Sequence, residues 1–449
     1  MAPSYDSDPF RYLRGRPDPR NQFINNIDYI AQLFLNGEPG LWLDLSDLST
    51  LFQDTAGTVP VTAPGQTVAL ARDKSGRGNH LVQPVALSRP TLGRHPVGGR
   101  RNLLTQTEDF SNSVWQKTGM TATADSCTST DIVAHILQNA PSLKSGQPYC
   151  FSVKLKASTA PWVALRVTAY DEQPAAWFNL GNGTIGTVNT QITASISAID
   201  DDGFYRCSIV FSSTTDVDGG VNAYITNANG NFNTTVGATV YIKSAQLEAG
   251  SAPTAYQRVT SDWDVTEVGK ADCWYLGFDG VDDFMVSAAT LDMSGTDRLT
   301  MWAGLEKFSN LTGIVCEQTV DGNAVPGGWY LAAANSTADA SFTIRGATRS
   351  VVVNAPTNTV GTKLYSARGS TGNDIDQIIR RGGVQVGTMT ITKGGGNLAN
   401  DLLYVGSRGG KTIPMRMNLY QLVTRGAFTD DDTMLKVDIQ NATKMGVTL

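Results

Sequence analysis

The acidic clusters and the histidines are the residues of this chain whose types could support catalysis or metal binding. The three histidines have no HxH or HExxH spacing and no G-x-S-x-G motif is present, so neither a zinc site nor a nucleophile elbow is indicated. Paired carboxylates could cleave a glycoside, and acidic clusters occur at 216–218, 282–283 and 430–432. Because turns or helix caps explain these clusters, we predict no enzymatic activity, no cofactor and no metal site.

Aromatic residues beside amides and carboxylates form the pattern that sugar binding requires. The apolar face of a pyranose stacks on tryptophan or tyrosine, and its hydroxyls bond to polar groups at the rim. The alternative for Trp162 and Tyr170, eight residues apart on one strand face, is a place in the core. The predicted carbohydrate-binding residues are Trp162, Tyr170, Asp171, Trp177, Asn179, Trp329 and Tyr330.

The composition indicates an all-β protein. The 449 residues include 45 glycines and only 17% charged residues, and helical propensity is poor almost throughout. The net charge of −6 and the absence of basic clusters alternating with aromatics argue against nucleic-acid binding. No run of 18 apolar residues occurs, so we predict no membrane insertion.

The five cysteines are an odd number and have no CxxC or CxxH spacing. The first residues carry no basic segment followed by an apolar one, so we expect synthesis in a cytoplasm without a secretion signal. In that compartment thiols stay reduced. We therefore predict that all five cysteines are unpaired.

The first 37 residues consist of an arm and a helix. Residues 1–17 are rich in proline and arginine, whereas Asp18-Pro19 and Asn36-Gly37 bound a helix of about 17 residues. Its apolar stripe could pack on its own domain or form an oligomeric bundle. The residues predicted to anchor and oligomerise the protein are Arg11, Arg14, Phe23, Ile27, Ile30 and Phe34.

A β-hairpin is predicted at 274–286. Trp274, Leu276 and Phe278 alternate along one strand face, and Asp279-Gly280 suits a tight turn. The carboxylates of this turn can accept hydrogen bonds from its own backbone amides.

Three motifs carry a resemblance to a known family. "LDLSDLSTLFQDTAG" at 43–57, "DKSGRGNH" at 73–80 and "FDGVDDF" at 278–284 resemble the concanavalin/laminin-G-like lectin domain of tail-fibre and head-fibre proteins of tailed bacteriophages. The "GVTL" end at 446–449 is similar to the end of such domains. In the second motif, Asp73 is predicted to cap a structural turn rather than to ligate a metal.

The segment between the second and third motifs has a different character. Residues 101–115 and 245–256 resemble the opening and closing strands of a galactose-binding-like jelly roll, as found in carbohydrate-binding modules of phage proteins. The fold class is therefore predicted as a concanavalin-like β-sandwich with an inserted β-jelly roll, plus a short N-terminal helix and arm. The predicted units are an anchoring arm and helix at 1–38, a sandwich at 39–99 and 259–449, and a jelly roll at 100–258.

A second helix is predicted near the end of the chain, between Phe428 and Gly446. Thr429 or Asp430 caps it, and Leu435 and Ile439 lie on one face.

The resemblances imply a structural virion protein: a fibre, spike or receptor-binding subunit that presents carbohydrate-binding domains to host-surface glycans. Its expected location is the virion, assembled in the bacterial cytoplasm. Its expected partners are other virion proteins, bound through the N-terminus, and copies of itself in a homo-oligomer, which the resemblance to phage fibres implies is a trimer. The alternatives are a capsid or tail decoration protein that binds other virion subunits, and a glycan-cleaving tailspike.

Overall fold

The structure is a computed structural model that describes residues 28–449 apart from 169–172, 214, 335–336, 373–376 and 411, and apart from the side chains of 141 and 142. Nearly all of its regular elements are strands. The predicted fold class is confirmed, because two sheets form a sandwich and two further sheets form a jelly roll inserted into it.

The strands are numbered in chain order. Those before the jelly roll are β1 (Gly40–Asp44), β2 (Leu51–Phe52), β3 (Leu70–Ala71), β4 (Leu81–Val82) and β5 (Thr91–Pro96). The jelly-roll strands are β6 (Gln116–Thr118), β7 (Met120–Ala122), β8 (Ser126–Ser129), β9 (Ala134–Leu143), β10 (Pro148–Ala157), β11 (Trp162–Val167), β12 (Ala175–Asn179), β13 (Thr184–Val188), β14 (Thr193–Ile196), β15 (Tyr205–Ser212), β16 (Val217–Thr226) and β17 (Thr239–Ala249).

The remaining strands follow the jelly roll. They are β18 (Gln257–Ser261), β19 (Asp264–Glu267), β20 (Asp272–Asp279), β21 (Met285–Ser287), β22 (Leu291–Asp292), β23 (Arg298–Lys307), β24 (Ile314–Gln318), β25 (Trp329–Ala332), β26 (Ala340–Arg345), β27 (Ser350–Ala355), β28 (Gly361–Ser370), β29 (Gln377–Arg381), β30 (Val384–Met389), β31 (Asn400–Asp401), β32 (Leu403–Val405) and β33 (Arg416–Arg425).

The sandwich combines strands from both sides of the jelly roll. One sheet has the order β18-β19-β5-β20-β33-β23-β28-β29-β30, with β1 paired to β33 so that Trp42 lies opposite Val423. The other has the order β2-β3-β4-β21-β32-β24-β25-β26-β27, and β22 pairs with β31 separately. Leu276 and Phe278 of β20 point into the core between the sheets, whereas Tyr275 and Gly277 face outward, as the alternation of a strand requires. We call that outward side the outer face of the first sheet.

The jelly roll consists of two antiparallel sheets. Their orders are β14-β15-β10-β17-β8-β7 and β13-β12-β11-β16-β9-β6. Alternate residues such as Phe151, Leu165 and Phe178 fill a core of its own between them.

The N-terminal helix α1 spans Tyr29–Gln32 and is capped by Asp28, whose carboxylate accepts hydrogen bonds from two backbone amides at 3.1 Å. The start predicted for this helix at 19 lies outside the described residues. Ile30 and Phe34 are buried in a cluster with Trp42 and Trp302 of the same chain. This arrangement corresponds to the alternative of a helix that packs on its own domain. Arg11, Arg14, Phe23 and Ile27 lie outside the described residues.

The C-terminal helix α2 (Asp431–Lys444) covers part of the outer face of the first sheet. Asp430 caps it as predicted, with Oδ1 accepting from the Thr433 amide at 2.9 Å. The helix buries Met434, Val437 and Ala442, whereas Leu435 is 42% exposed. The outer face carries the apolar cluster of Trp42 and Trp302, and this cluster selects the side of the helix that turns inward.

Two buried amides hold the ends of the jelly roll together. Asn102 Nδ2 donates to the carbonyls of Ala245 and Gln257 at 3.0 and 2.9 Å, and its Oδ1 accepts from the Leu247 amide at 3.1 Å. Gln257 Oε1 accepts from the Arg101 amide at 2.7 Å. The chain therefore leaves the sandwich and returns to it at one point.

All five cysteines are buried free thiols, which confirms the prediction that they are unpaired. Among the described residues, no helix has both the length and the apolar character needed to span a membrane.

Candidate functional site

A cleft of about 800 Å³ lies on the outer face of the first sheet, next to the part that α2 covers. Its floor consists of β5, β20, β33 and β23, and its walls are the turn between β18 and β19 and the segment 445–447 after α2. Clefts that bind small ligands typically measure about 300–1,000 Å³.

Two aromatic rings form the centre of the floor because glycines lie beneath them. A β-carbon at Gly277 would be 2.2 Å from the ring of Trp263, and one at Gly93 would be 2.3 Å from the ring of Tyr275. A larger residue at either position would displace a ring. The rings therefore rest directly on the backbone of β20 and β5.

Trp263 is held at both its backbone and its ring. Its carbonyl accepts a hydrogen bond from the Arg94 amide of β5 at 2.9 Å, and its ring centroid lies 6.5 Å from that of Tyr275. Tyr275 is buried, whereas Trp263 is half-buried. One aromatic surface in the cleft is thus both fixed and accessible.

A chain of polar groups runs beside these rings. His95 Nε2 lies 2.5 Å from the Tyr420 hydroxyl, which donates to Glu306 Oε2 at 3.5 Å, and Asn418 Nδ2 donates to the same oxygen at 3.0 Å. Burial and the nearby Glu306 carboxylate raise the pKa of Tyr420 well above its usual value, so its hydroxyl stays protonated. The acceptor Glu306 is therefore held in a fixed position.

Charges of both signs surround the opening of the cleft. Arg100 Nη1 donates to Asp262 Oδ1 at 2.9 Å on one side. On another side Arg416 lies opposite Asp279 in the sheet and places its guanidinium 5.8 Å from the centre of the Phe308 ring. An accessible aromatic face with fixed donors and acceptors at its edge suits a sugar ring, whose faces are apolar and whose edge carries hydroxyls.

This cleft was not predicted from the sequence. Its polar residues come from distant parts of the chain and have no common motif. One local signal was present, because Gly277 follows Tyr275 on the same strand face, and glycine within a strand often marks the close approach of another group.

Three of the predicted carbohydrate-binding residues meet on the outer surface of the jelly roll. Trp162 of β11 lies opposite Asn179 of β12, and Trp177 precedes Asn179 by two residues on the same face. Trp162 is half-buried, and Asn179 Oδ1 caps its own turn by accepting from the Gly181 amide at 2.9 Å. Tyr170 and Asp171 lie outside the described residues.

The prediction for Trp177 needs correction, since only 5% of this residue is exposed. Its Nε1 donates to the Asn231 carbonyl at 3.0 Å, and the ring of Phe232 lies 4.9 Å away. The loop after β16 therefore covers Trp177, which cannot contact a glycan in this conformation.

The predictions for Trp329 and Tyr330 are also corrected by burial. Trp329 is completely buried in the sandwich core, where its Nε1 donates to Gln318 Oε1 at 2.7 Å. Tyr330 is 6% exposed and lies beneath the guanidinium of Arg408, 5.0 Å from the ring centre. Both side chains are structural because each faces a neighbouring element rather than solvent.

Asp279, Asp282 and Asp283 bring carboxylate oxygens within 4.8 Å of one another in the turn after β20. Asp279 Oδ1 accepts from the Val281 amide at 2.7 Å, and Asp283 Oδ2 accepts from the Asp279 amide at 3.0 Å. These bonds are the self-capping that the sequence predicted. Burial, reinforced by the charges of Asp279 and Asp282, raises the pKa of Asp283 to about 7.

Asp283→Asn is expected to stabilise the protein at pH 8 but not at pH 4. The folded state binds a proton on Asp283 more tightly than the unfolded chain does, so ionisation of this residue lowers the free energy of unfolding between about pH 4 and pH 7. Urea titrations of both proteins across this range measure the effect. Parallel curves for the two proteins would show that Asp283 does not ionise in this range.

Comparison with known proteins finds no matching family model and no matching curated protein. The chain is similar in fold to a native heptameric SAP-like pentraxin from Limulus polyphemus, with 15% identity, a TM-score of 0.29, and coverage of 36% of this chain and 78% of that one. It is also similar to the CBM40 of Ruminococcus gnavus IT-sialidase bound to α2,3-sialyllactose, with 11% identity, a TM-score of 0.26, and coverage of 32% and 83%.

A third neighbour contradicts the prediction that the chain is not an enzyme. The match to Trypanosoma rangeli sialidase in complex with the inhibitor DANA covers 88% of this chain and 66% of the sialidase chain, with 10% identity and a TM-score of 0.28. The prediction is therefore wrong and is withdrawn. A likeness at this TM-score assigns no reaction to the chain.

Proposed function

We propose that this protein binds glycans in the cleft between the β18–β19 turn and the end of α2. The observation that carries the proposal is the half-buried Trp263 ring. It is fixed on Gly277 and lies beside Glu306 and Asn418, which are joined by a hydrogen bond. A sugar ring stacked on Trp263 would bury its apolar face while its hydroxyls reach the polar side chains.

The biological role is proposed from the sequence resemblance. A fibre-type or spike-type phage protein would present such a cleft to glycans of the host envelope, bind other virion proteins through residues 1–38 and assemble as a trimer. The support for this role is the set of three motifs at 43–57, 73–80 and 278–284.

Trp263→Ala is expected to weaken glycan binding about 30-fold, the effect of about 2 kcal/mol that a central aromatic contact typically contributes. The measurement is binding of the full-length protein to a printed array of bacterial oligosaccharides, followed by calorimetry with the strongest binder. Thermal unfolding of the variant tests whether the fold is intact.

Trp162→Ala is the matched control, because Trp162 is also a half-buried tryptophan but lies on the jelly roll. It should leave the affinity unchanged. Loss of binding with Trp162→Ala and retention with Trp263→Ala would move the site to the jelly roll. Absence of binding to every printed glycan would contradict the proposed function.

A further inference from the structure

A second cleft, of about 530 Å³, lies where the jelly roll meets the sandwich. It shares two lining residues, Arg100 and Asp262, with the cleft that contains Trp263. The two clefts therefore adjoin, with the Arg100–Asp262 ion pair between them.

Arg100 is held firmly at this boundary. Its Nε donates to the Asn102 carbonyl at 2.8 Å, Nη2 donates to the Leu104 carbonyl at 3.3 Å, and Nη1 donates to Asp262 at 2.9 Å. Each Nη atom carries a second N–H group that can face a ligand. Asp262 is the more accessible partner, with 77% of its side chain exposed.

The second cleft has the chemistry of a site for hydroxyl groups. Gln116 of β6 and Asn139 of β9 are exposed amides on its wall, and each can donate and accept hydrogen bonds. Beneath them, Gln138 exchanges two hydrogen bonds with the backbone of Thr105, at 2.7 and 2.9 Å, which fixes the jelly-roll side of the cleft.

We propose that the two clefts form one groove that binds an extended oligosaccharide across the sandwich and the jelly roll. The inference rests on the proposed function, since Trp263 would hold one sugar, Arg100 and Asp262 would contact the middle of the chain, and Gln116 and Asn139 would hold sugars further along. Charges of both signs at the centre and amides at the far end select a chain rich in hydroxyls rather than a polyanion.

The test uses full-length protein and an array with length series from disaccharides to octasaccharides. Affinity should increase with chain length beyond the trisaccharide. The double variant Gln116→Ala/Asn139→Ala should lose about tenfold in affinity for the longest members, as expected for the loss of hydrogen bonds worth about 1.4 kcal/mol together. Its affinity for the shortest binding member should not change.

Asn233→Ala is the control for this variant. Asn233 is an exposed asparagine of the same jelly roll that does not line the groove, so its replacement should leave all affinities unchanged. Thermal unfolding of both variants tests their folding.

The outcomes separate the two proposals. Binding that depends on Trp263 but reaches its full strength with a disaccharide, or that the double variant does not weaken, would overturn the extended groove and leave the glycan site intact. Binding that is insensitive to Trp263→Ala would contradict the site on the sandwich, and with it the groove.

Discussion

Asp339→Ala is expected to lower the free energy of unfolding by about 3–5 kcal/mol, because it leaves a buried ammonium without its anionic partner. Lys307 and Asp339 are both completely buried, and Lys307 Nζ lies 2.9 Å from Asp339 Oδ1. The other carboxylate oxygen accepts hydrogen bonds from the Tyr365 hydroxyl at 2.9 Å and from Arg381 Nη1 at 3.2 Å. One substitution therefore removes the acceptor of three side chains.

The double variant Lys307→Met/Asp339→Ala distinguishes a lost interaction from an uncompensated charge. Removing both charges should restore much of the lost stability, since a buried ion pair is often close to neutral against an apolar pair. Urea unfolding followed by circular dichroism measures all three proteins. If Asp339→Ala lowers the free energy of unfolding by less than about 1 kcal/mol, as for an exposed ion pair, the pair does not behave as a buried one.

The same pair predicts a dependence on pH. Burial alone would raise the pKa of Asp339, but the hydrogen bonds from Lys307, the Thr359 amide and Tyr365 hold it below its usual value. A lowered pKa stabilises the fold above about pH 4, and this contribution is lost as the pH falls further. The difference in stability between wild type and Asp339→Ala should therefore shrink in acid.

Asp73→Ala is expected to lower the free energy of unfolding by about 3 kcal/mol, since it removes the shared acceptor of several buried groups. Oδ1 accepts from the amides of Trp42 and Ser75 at 2.9 and 2.8 Å. Oδ2 accepts from the Ser75 hydroxyl at 2.7 Å and from the Asn79 amide at 3.0 Å. The bond to Trp42 attaches the loop after β3 to β1, which is itself held by β33.

Asp54→Ala is the matched control for Asp73. Asp54 also caps a loop, with Oδ1 accepting from the Thr58 and Val59 amides at 2.9 Å, but this loop is exposed and contains all of these partners. The Asp54→Ala variant should lose clearly less stability than Asp73→Ala in the same urea titration. Equal losses would show that the link to β1 contributes nothing.

The turns were predictable because their bonds are local. Asp279 and Asp73 accept from amides a few residues away, so the spacing of aspartate, glycine and serine indicates the loop. The additional bond from Trp42 to Asp73 spans 31 residues and has no sequence pattern.

The cleft and the burial of several aromatic residues were not predictable, because they depend on contacts between residues that are distant in the sequence. Trp329, which was predicted to bind carbohydrate, lies in the core, whereas Trp263, which was not, lies half-buried on Gly277. Strand periodicity gives the face on which a residue lies, but not what covers that face. The same limit applies to α2, which turns Met434 and Val437 toward Trp302 while Leu435 is 42% exposed.

The attachment of the jelly roll by two neighbouring chain ends has a mechanical consequence. A tension on the jelly roll reaches the sandwich through Arg101 and Gln257 together, because their bond joins the outgoing and the returning chain. The load passes next to β5 and β19, where Arg94 bonds to Asp264 at 2.6 Å and to Asp272 at 2.9 Å. The two chain ends thus share the tension as parallel tethers.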